Sequence, residues 1–354
     1  MPQHEVGYRP WTGQFTSQAG RWWIIADTGF RLVFKSNWVR RLLFLAWLPI
    51  FYWGAIFFAV ENPEMFTASV RPPANQIDGG IMEQLDKIKD VALRNKRVRQ
   101  NSIRRILQVI PGGKVVAEKL TSDDPDVQRH AIWSFLLMTF FRYPQAIMII
   151  FLLGFISPGL ISRDFRSRAF LLYFSRPIGR IEYILGKIAV PSAYLMLVTT
   201  FPALILYVLG VSMSPDLSVV AVTWDIPLRI LCASAILIIP CAALSLMLSS
   251  LTQESRFASF AWFAVWVLGT GAWLAVWFGA AVRANARNMY QLLEDPSVSR
   301  WSFLSLYNNL GSAQSWIFGL DTFENALPAL LILIFIAVLS FVVLFRRVSA
   351  PVRI

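Results

Sequence analysis

The chain has 354 residues, 56% of them hydrophobic, and a mean hydropathy of +0.53. A soluble domain is about 45–50% apolar, and here the excess is gathered in long runs, so an all-α membrane protein is expected rather than a large soluble core. The net charge of +12 would suit nucleic acid, but the basic residues cluster at the ends of the apolar runs. Anionic lipid headgroups are their natural counter-charge there, and no nucleic-acid partner is expected.

Residues 1–20 read as a loose cytoplasmic arm. With no signal peptide in view, the first span is expected to serve as its own insertion signal. Within 21–41, Trp23, Ala26, Phe30, Val33 and Phe34 recur at helical spacing, while Arg21, Thr28, Arg31 and Lys35 fall on the other side. An aromatic face opposed to a basic one predicts a helix lying in the membrane interface. The alternative is an amphipathic helix packed on a partner subunit. Residues 42–60 form the first span, closed by Arg40-Arg41, with a kink expected at Pro49 and an end at Glu61-Asn62-Pro63.

Residues 61–143 are expected to form an extracytoplasmic helical insertion followed by an approach helix. Ser122 to Pro125 mark the approach helix's start, with acids in the first turn and proline near its first position. The insertion reads as a solvated cap, or else as a lid or docking surface for an extracytoplasmic partner. The second span is 144–161. Arg142 is assigned to the interface beside Tyr143 and Pro144, because an arginine inside the membrane is expensive.

After the connector 162–187, the third to fifth spans occupy 188–282, at 188–210, 228–251 and 257–282. Cys232 and Cys241 both fall inside the fourth, as reduced packing residues. Residues 283–325 carry Trp301, Phe303, Leu304, Leu306, Tyr307, Trp316, Ile317 and Phe318, too apolar for a simple loop. Short helices dipping into the outer leaflet are predicted. The sixth span is 326–345 and the tail 346–354. Lys and Arg number six in residues 1–41, six in the connector and three after the sixth span, against none in 211–227 and three in 283–325. Short loops rich in Lys and Arg stay in the cytoplasm, so both termini and the connector are placed inside.

The connector holds Arg163, Arg166, Arg168, Arg176, Arg180 and Lys187 against Asp164 and Glu182. Pro177 and Gly179 break any helix across Ser175 to Arg180. The run Gly159-Leu-Ile-Ser-Arg-Asp164, then Tyr173-Phe-Ser-Arg-Pro177, Arg180-Ile-Glu-Tyr183 and Gly186-Lys187 resembles the signature of type-2 ABC transporter permeases. The resemblance implies a six-span permease subunit of an exporter in the bacterial plasma (inner) membrane. It also implies a second permease subunit, as a homo- or heterodimer, and separate ABC ATPase subunits that bind ATP and Mg. The segment between the second and third spans would be the coupling helix, with Arg163, Asp164, Arg166 and Arg168 meeting the ATPase or the headgroups and Ser175, Arg176, Pro177 and Arg180 setting the angle at which the third span re-enters. Glu182, Tyr183, Gly186 and Lys187 would anchor the third span. An N-terminal helix in this family borders the ATPase, which would give Trp23, Phe30, Arg31, Phe34 and Lys35 that place.

No phosphate-binding loop, zinc spacing or nucleophile elbow occurs in the sequence, so no catalysis, metal or cofactor is expected in this chain itself. His4 and His130 read as surface or interface residues, and Glu61, Glu64, Asp321 and Glu324 as caps or solvated groups. Three readings compete. The first is an exporter permease. The second is a mechanotransmission subunit that drives an extracytoplasmic partner without moving a substrate. The third is a membrane enzyme or secondary transporter, disfavoured because such a transporter needs charge or broken helices at mid-membrane.

Overall fold

The computed structural model describes residues 20–62, 113–122, 124–168, 179–283 and 300–349, and these form helices and turns without a strand. Most of the 61–130 insertion and the segment Ser175 to Pro177 lie outside the described residues. In chain order the helices are α1 (Arg21–Phe34), α2 (Asn37–Trp47), α3 (Pro49–Glu61), α4 (Gly113–Lys119) and α5 (Pro125–Phe140). A π-helical turn (Phe141–Gln145) follows, then α6 (Ala146–Ile156), α7 (Pro158–Arg166), α8 (Arg180–Val198), α9 (Thr200–Met213) and α10 (Val219–Val222). The chain ends with α11 (Ile226–Leu251), α12 (Ser255–Arg283), α13 (Leu306–Ile317) and α14 (Phe323–Ser349).

Six stretches are long and apolar enough to cross a membrane: Asn37–Glu61, Pro125–Arg166, Arg180–Met213, Ile226–Leu251, Ser255–Val282 and Phe323–Ser349. Several are longer than the runs read from hydropathy. The approach helix and second span form one continuous helix from Pro125 to Arg166, and the third helix starts inside the connector at Arg180. Packing and capping continue a helix well past the edge of its apolar run.

Side-chain bonds fix how the helices alternate. Asn62 donates to the Met213 carbonyl at 3.1 Å and Arg129 pairs with Glu61, which brings the end of α3, the start of α5 and the end of α9 together. At the opposite end Ser249 bonds the Pro158 carbonyl at 2.7 Å, and Arg347 reaches the Leu251 carbonyl at 3.4 Å. The bundle therefore has a connector end, with α7 and the start of α8, and a cap end.

α11 is the centre of the bundle, touching α7, α8, α9, α12, α13 and α14. Two-thirds of its apolar window (67%) is buried, against 11% for α12, which lies at the periphery. Trp133, Phe57, Phe140, Phe141, Leu237, Trp262 and Phe318 fill the core. Large apolar side chains also point outward, among them Phe44, Phe51, Phe260 and Leu268. A water-soluble monomer rarely exposes so much apolar surface, whereas lipid tails match it.

The break at Pro158 is compensated by side chains. Pro158 has no N–H for the Gly154 carbonyl, and that carbonyl instead accepts from Ser259 at 3.1 Å. The amides of Ile161 and Ser162 donate to Ser249 Oγ at 3.3 and 3.2 Å. α13 starts beside the middle of α12, where Thr270 and Ser305 hydroxyls meet at 3.1 Å. It then runs to the cap end, where Lys119 Nζ donates to the Gly319 carbonyl at 3.2 Å. The aromatic 283–325 segment thus contains a helix that penetrates about half the length of its neighbour.

Candidate functional site

At the connector end, the two strands of chain that enter and leave the connector are tied together. Asp164, on α7, accepts from the Tyr183 hydroxyl at 2.8 Å and pairs with Lys187 Nζ at 2.6 Å. Tyr183 and Lys187 lie one turn apart on α8, and the ammonium sits 5.5 Å from the tyrosine ring centroid. Tyr183 and Lys187 are buried, so the pair is shielded from the screening that weakens exposed ion pairs. Three residues widely separated in the motif thus meet at one point.

The remaining motif residues divide between caps, packing and surface. Glu182 accepts from the Gly179 amide at 2.9 Å and closes the first turn of α8. Gly186 is the contact point of α1: a Cβ there would lie 2.7 Å from Ile25 Cβ and 2.8 Å from the Trp22 carbonyl oxygen. Arg163 and Arg168 are exposed, and Arg180 stands half-exposed at the start of α8. Arg166 pairs with Glu254 at 3.2 Å, both well exposed. Arg168 has φ 55°, the left-handed conformation that ends a helix and usually falls to glycine. Ser175, Arg176 and Pro177 lie outside the described residues.

α1 packs lengthwise on α8. Ile25 meets Gly186 and Gly29 meets Val190, four residues apart on both helices. Phe30 stacks on Tyr194 with centroids 4.6 Å apart, and the Tyr194 hydroxyl donates to the Phe30 carbonyl at 2.9 Å. The packed stripe is therefore Ile25, Ala26, Gly29 and Phe30. Trp23 and Phe34, read from the sequence as part of the same face, are exposed, as are Arg31 and Lys35, and Arg31 pairs with Asp27 at 3.0 Å. The small residues Gly29 and Gly186 set the contact face, a signal that aromatic periodicity does not carry.

The cap end holds two further clusters. Glu61 is not solvated: it pairs with Arg129 and accepts from Trp133 Nε1 at 2.7 Å, with its side chain 3% exposed. Asp225 receives His130 at 2.9 Å and Arg229 at 2.5 Å, and Arg229 also donates to the Ile317 carbonyl at 2.6 Å. Burial alone would raise the Asp225 pKa. The hydrogen bonds from His130 and Arg229, with their charges, outweigh it and hold the carboxyl below its ordinary value.

Arg142 differs from its expected interfacial position. It lies within the continuous helix, in the π-helical turn, and the residue is 9% exposed. The guanidinium carbon stands 4.6 Å from the Tyr307 ring centroid, and Nη2 is 3.4 Å from Asn308 Oδ1. Gly311 leaves the room for it, since a Cβ there would overlap Nη1. The polar stripe on α13 that receives Arg142 was hidden in the sequence among aromatic neighbours.

No curated protein matches the chain. The family model described as ABC-2 family transporter protein matches residues 35–349, which takes in all six candidate spans and the clamped connector. Permeases of this family normally work with an ATPase subunit. With that match over nearly the whole chain and six apolar helices in the bundle, the protein belongs to the ABC-2 transporter family as a multi-pass membrane permease.

Proposed function

We propose that this permease couples ATP hydrolysis by a separate ATPase subunit to export of a substrate across a bacterial plasma membrane, and that the connector is the point of contact. The observation that carries the reading is the Asp164–Tyr183–Lys187 clamp. A force applied to the connector reaches α7 and α8 together, because the clamp joins their ends, and packed elements move as units. Arg163, Arg166, Arg168 and Arg180 stand at this end, three of them exposed, where an ATPase surface would meet them. α1, held to α8 through Gly186 and Gly29, would move with the clamp and border the same partner. ATP and Mg would be bound by the ATPase.

The charge distribution supports an inward-facing connector end. Arg40, Arg41, Arg163, Arg166, Arg168, Arg180, Arg256, Arg346 and Arg347 all belong to it, as the bias of cytoplasmic loops toward Lys and Arg requires. The cap end, with α4 and α13, would then face outward.

The test is a paired charge reversal, Arg163→Glu with Arg166→Glu, in the full chain. Expected is loss of co-purification with the ATPase, or ATPase activity that no longer responds to the permease, while membrane insertion is normal. Undiminished co-purification together with undiminished coupled activity would remove the connector from the mechanism.

A further inference from the structure

Arg142 presents a charge without a counter-charge. A guanidinium stays protonated at any pH a protein meets, and this one is the sole charged residue between Ala131 and Ser162. Arg129, Lys187 and Arg229 each face an acid. Arg142 does not pair with a carboxylate among the described residues; its contacts are the Tyr307 ring and the Asn308 amide oxygen, both neutral. Burying a cation on those terms costs several kcal/mol.

The surroundings are rich in donors as well. Asn308 turns its oxygen to Arg142, which fixes the amide and leaves Nδ2 without a hydrogen-bond partner. Gln314 Nε2 and Ser315 Oγ are also without one, and all three side chains are more than nine-tenths buried. With Tyr307 and Gly311 they form one stripe of α13, at the helical spacing of three and four residues. The π-helical turn that carries Arg142 is a local widening of the kind frequent at functional sites. A single chemical group answers both deficits. An oxyanion brings negative charge to the guanidinium and acceptor lone pairs to the amide and hydroxyl donors.

Depth narrows the source. Counted along the helix, Arg142 is about 24 Å from Pro158 and about 20 Å from Arg129, so it lies near the middle of the apolar stretch. We infer that Arg142, Tyr307, Asn308 and Gln314 form a binding site for an oxyanionic group, a carboxylate, phosphate or sulfate, carried by the permease's cargo. Only the word cargo rests on the export reading; binding itself does not.

The experiment uses the full chain in dodecyl maltoside, follows its thermal unfolding midpoint, and titrates dodecyl phosphate, with dodecanol as the neutral control. Wild type should be stabilised saturably by dodecyl phosphate and not by dodecanol. Arg142→Gln and, separately, Asn308→Ala should each weaken the apparent affinity, the arginine change by about tenfold or more. Competition by inorganic phosphate would identify a free oxyanion as sufficient; its failure to compete would assign the site to an amphiphile, and either supports the site. No stabilisation of wild type, or the same affinity in wild type and both variants, would overturn it. The measurement involves no ATPase, so its failure leaves the coupling proposal standing, and failure of the charge-reversal test leaves this one standing.

Discussion

At the residue scale, Asp164 is the hinge pin of the connector. It meets a phenol and an ammonium from the next helix at 2.8 and 2.6 Å, and the ionic partners are only 11% and 15% exposed. Charge-assisted bonds with little water around them are the strong kind. Asp164→Asn should lower stability by about 1–3 kcal/mol, read as a fall in the thermal unfolding midpoint in detergent. Lys187→Met should cost a similar amount. The double variant should lose less than the sum of the two, with a coupling energy of about 1 kcal/mol or more. Strict additivity would mean that the two side chains do not support each other. The motif residues Asp164, Tyr183 and Lys187 were all visible in the sequence, but the bond between them was not, because spacing across a connector carries no distance.

Among the elements, α1 is attached to the bundle by close approach at Gly29 and Gly186 together with the Phe30–Tyr194 stack. Gly29 leaves room for the Val190 side chain and Gly186 for Ile25 and the Trp22 carbonyl, the device by which small residues let helices approach closely in membranes. Gly186→Val should overpack this contact at a cost of about 1–3 kcal/mol. Since α1 makes most of its contacts with α8, the strain should be relieved by detaching α1 and not by unfolding the bundle. Trypsin cleavage after Arg31 in the detergent-solubilised chain should then speed up about tenfold or more, with the unfolding midpoint of the spans little changed. Cleavage at the wild-type rate would show that α1 is held elsewhere. Hydropathy identified α1 as amphipathic and correctly opposed Ala26 and Phe30 to Arg31. It grouped Trp23 and Phe34 with Ala26 and Phe30 on one interfacial face, whereas only Ala26 and Phe30 pack on α8 and Trp23 and Phe34 are exposed, because an apolar side chain beside lipid or interface looks the same in sequence as one beside protein.

For the whole molecule, the alternation of helix ends divides the charges. Among the described residues the connector end is overwhelmingly basic, while the cap end mixes Lys119, Arg129 and Arg229 with Glu61, Asp216 and Asp225. Orientation can be read directly. In a chain with Cys232 and Cys241 replaced by serine, Ser167→Cys should react with a membrane-impermeant maleimide only when the cytoplasmic face is open to it. Asp216→Cys should react only from the other side. The reverse pattern would invert the molecule and end the coupling proposal.

Six apolar runs, basic residues at their ends and an Arg-rich connector with its motif are one-dimensional quantities, and the sequence by itself determined them. That was enough for an all-helical bundle of six candidate spans and for its family. The joining of α7 to α8, the choice of packed face on α1, the ion pair of Glu61 and the burial of Arg142 against α13 depended on the tertiary structure. Each requires two segments far apart in the chain to lie within a few ångströms, and no local pattern of hydropathy or charge records which segments meet.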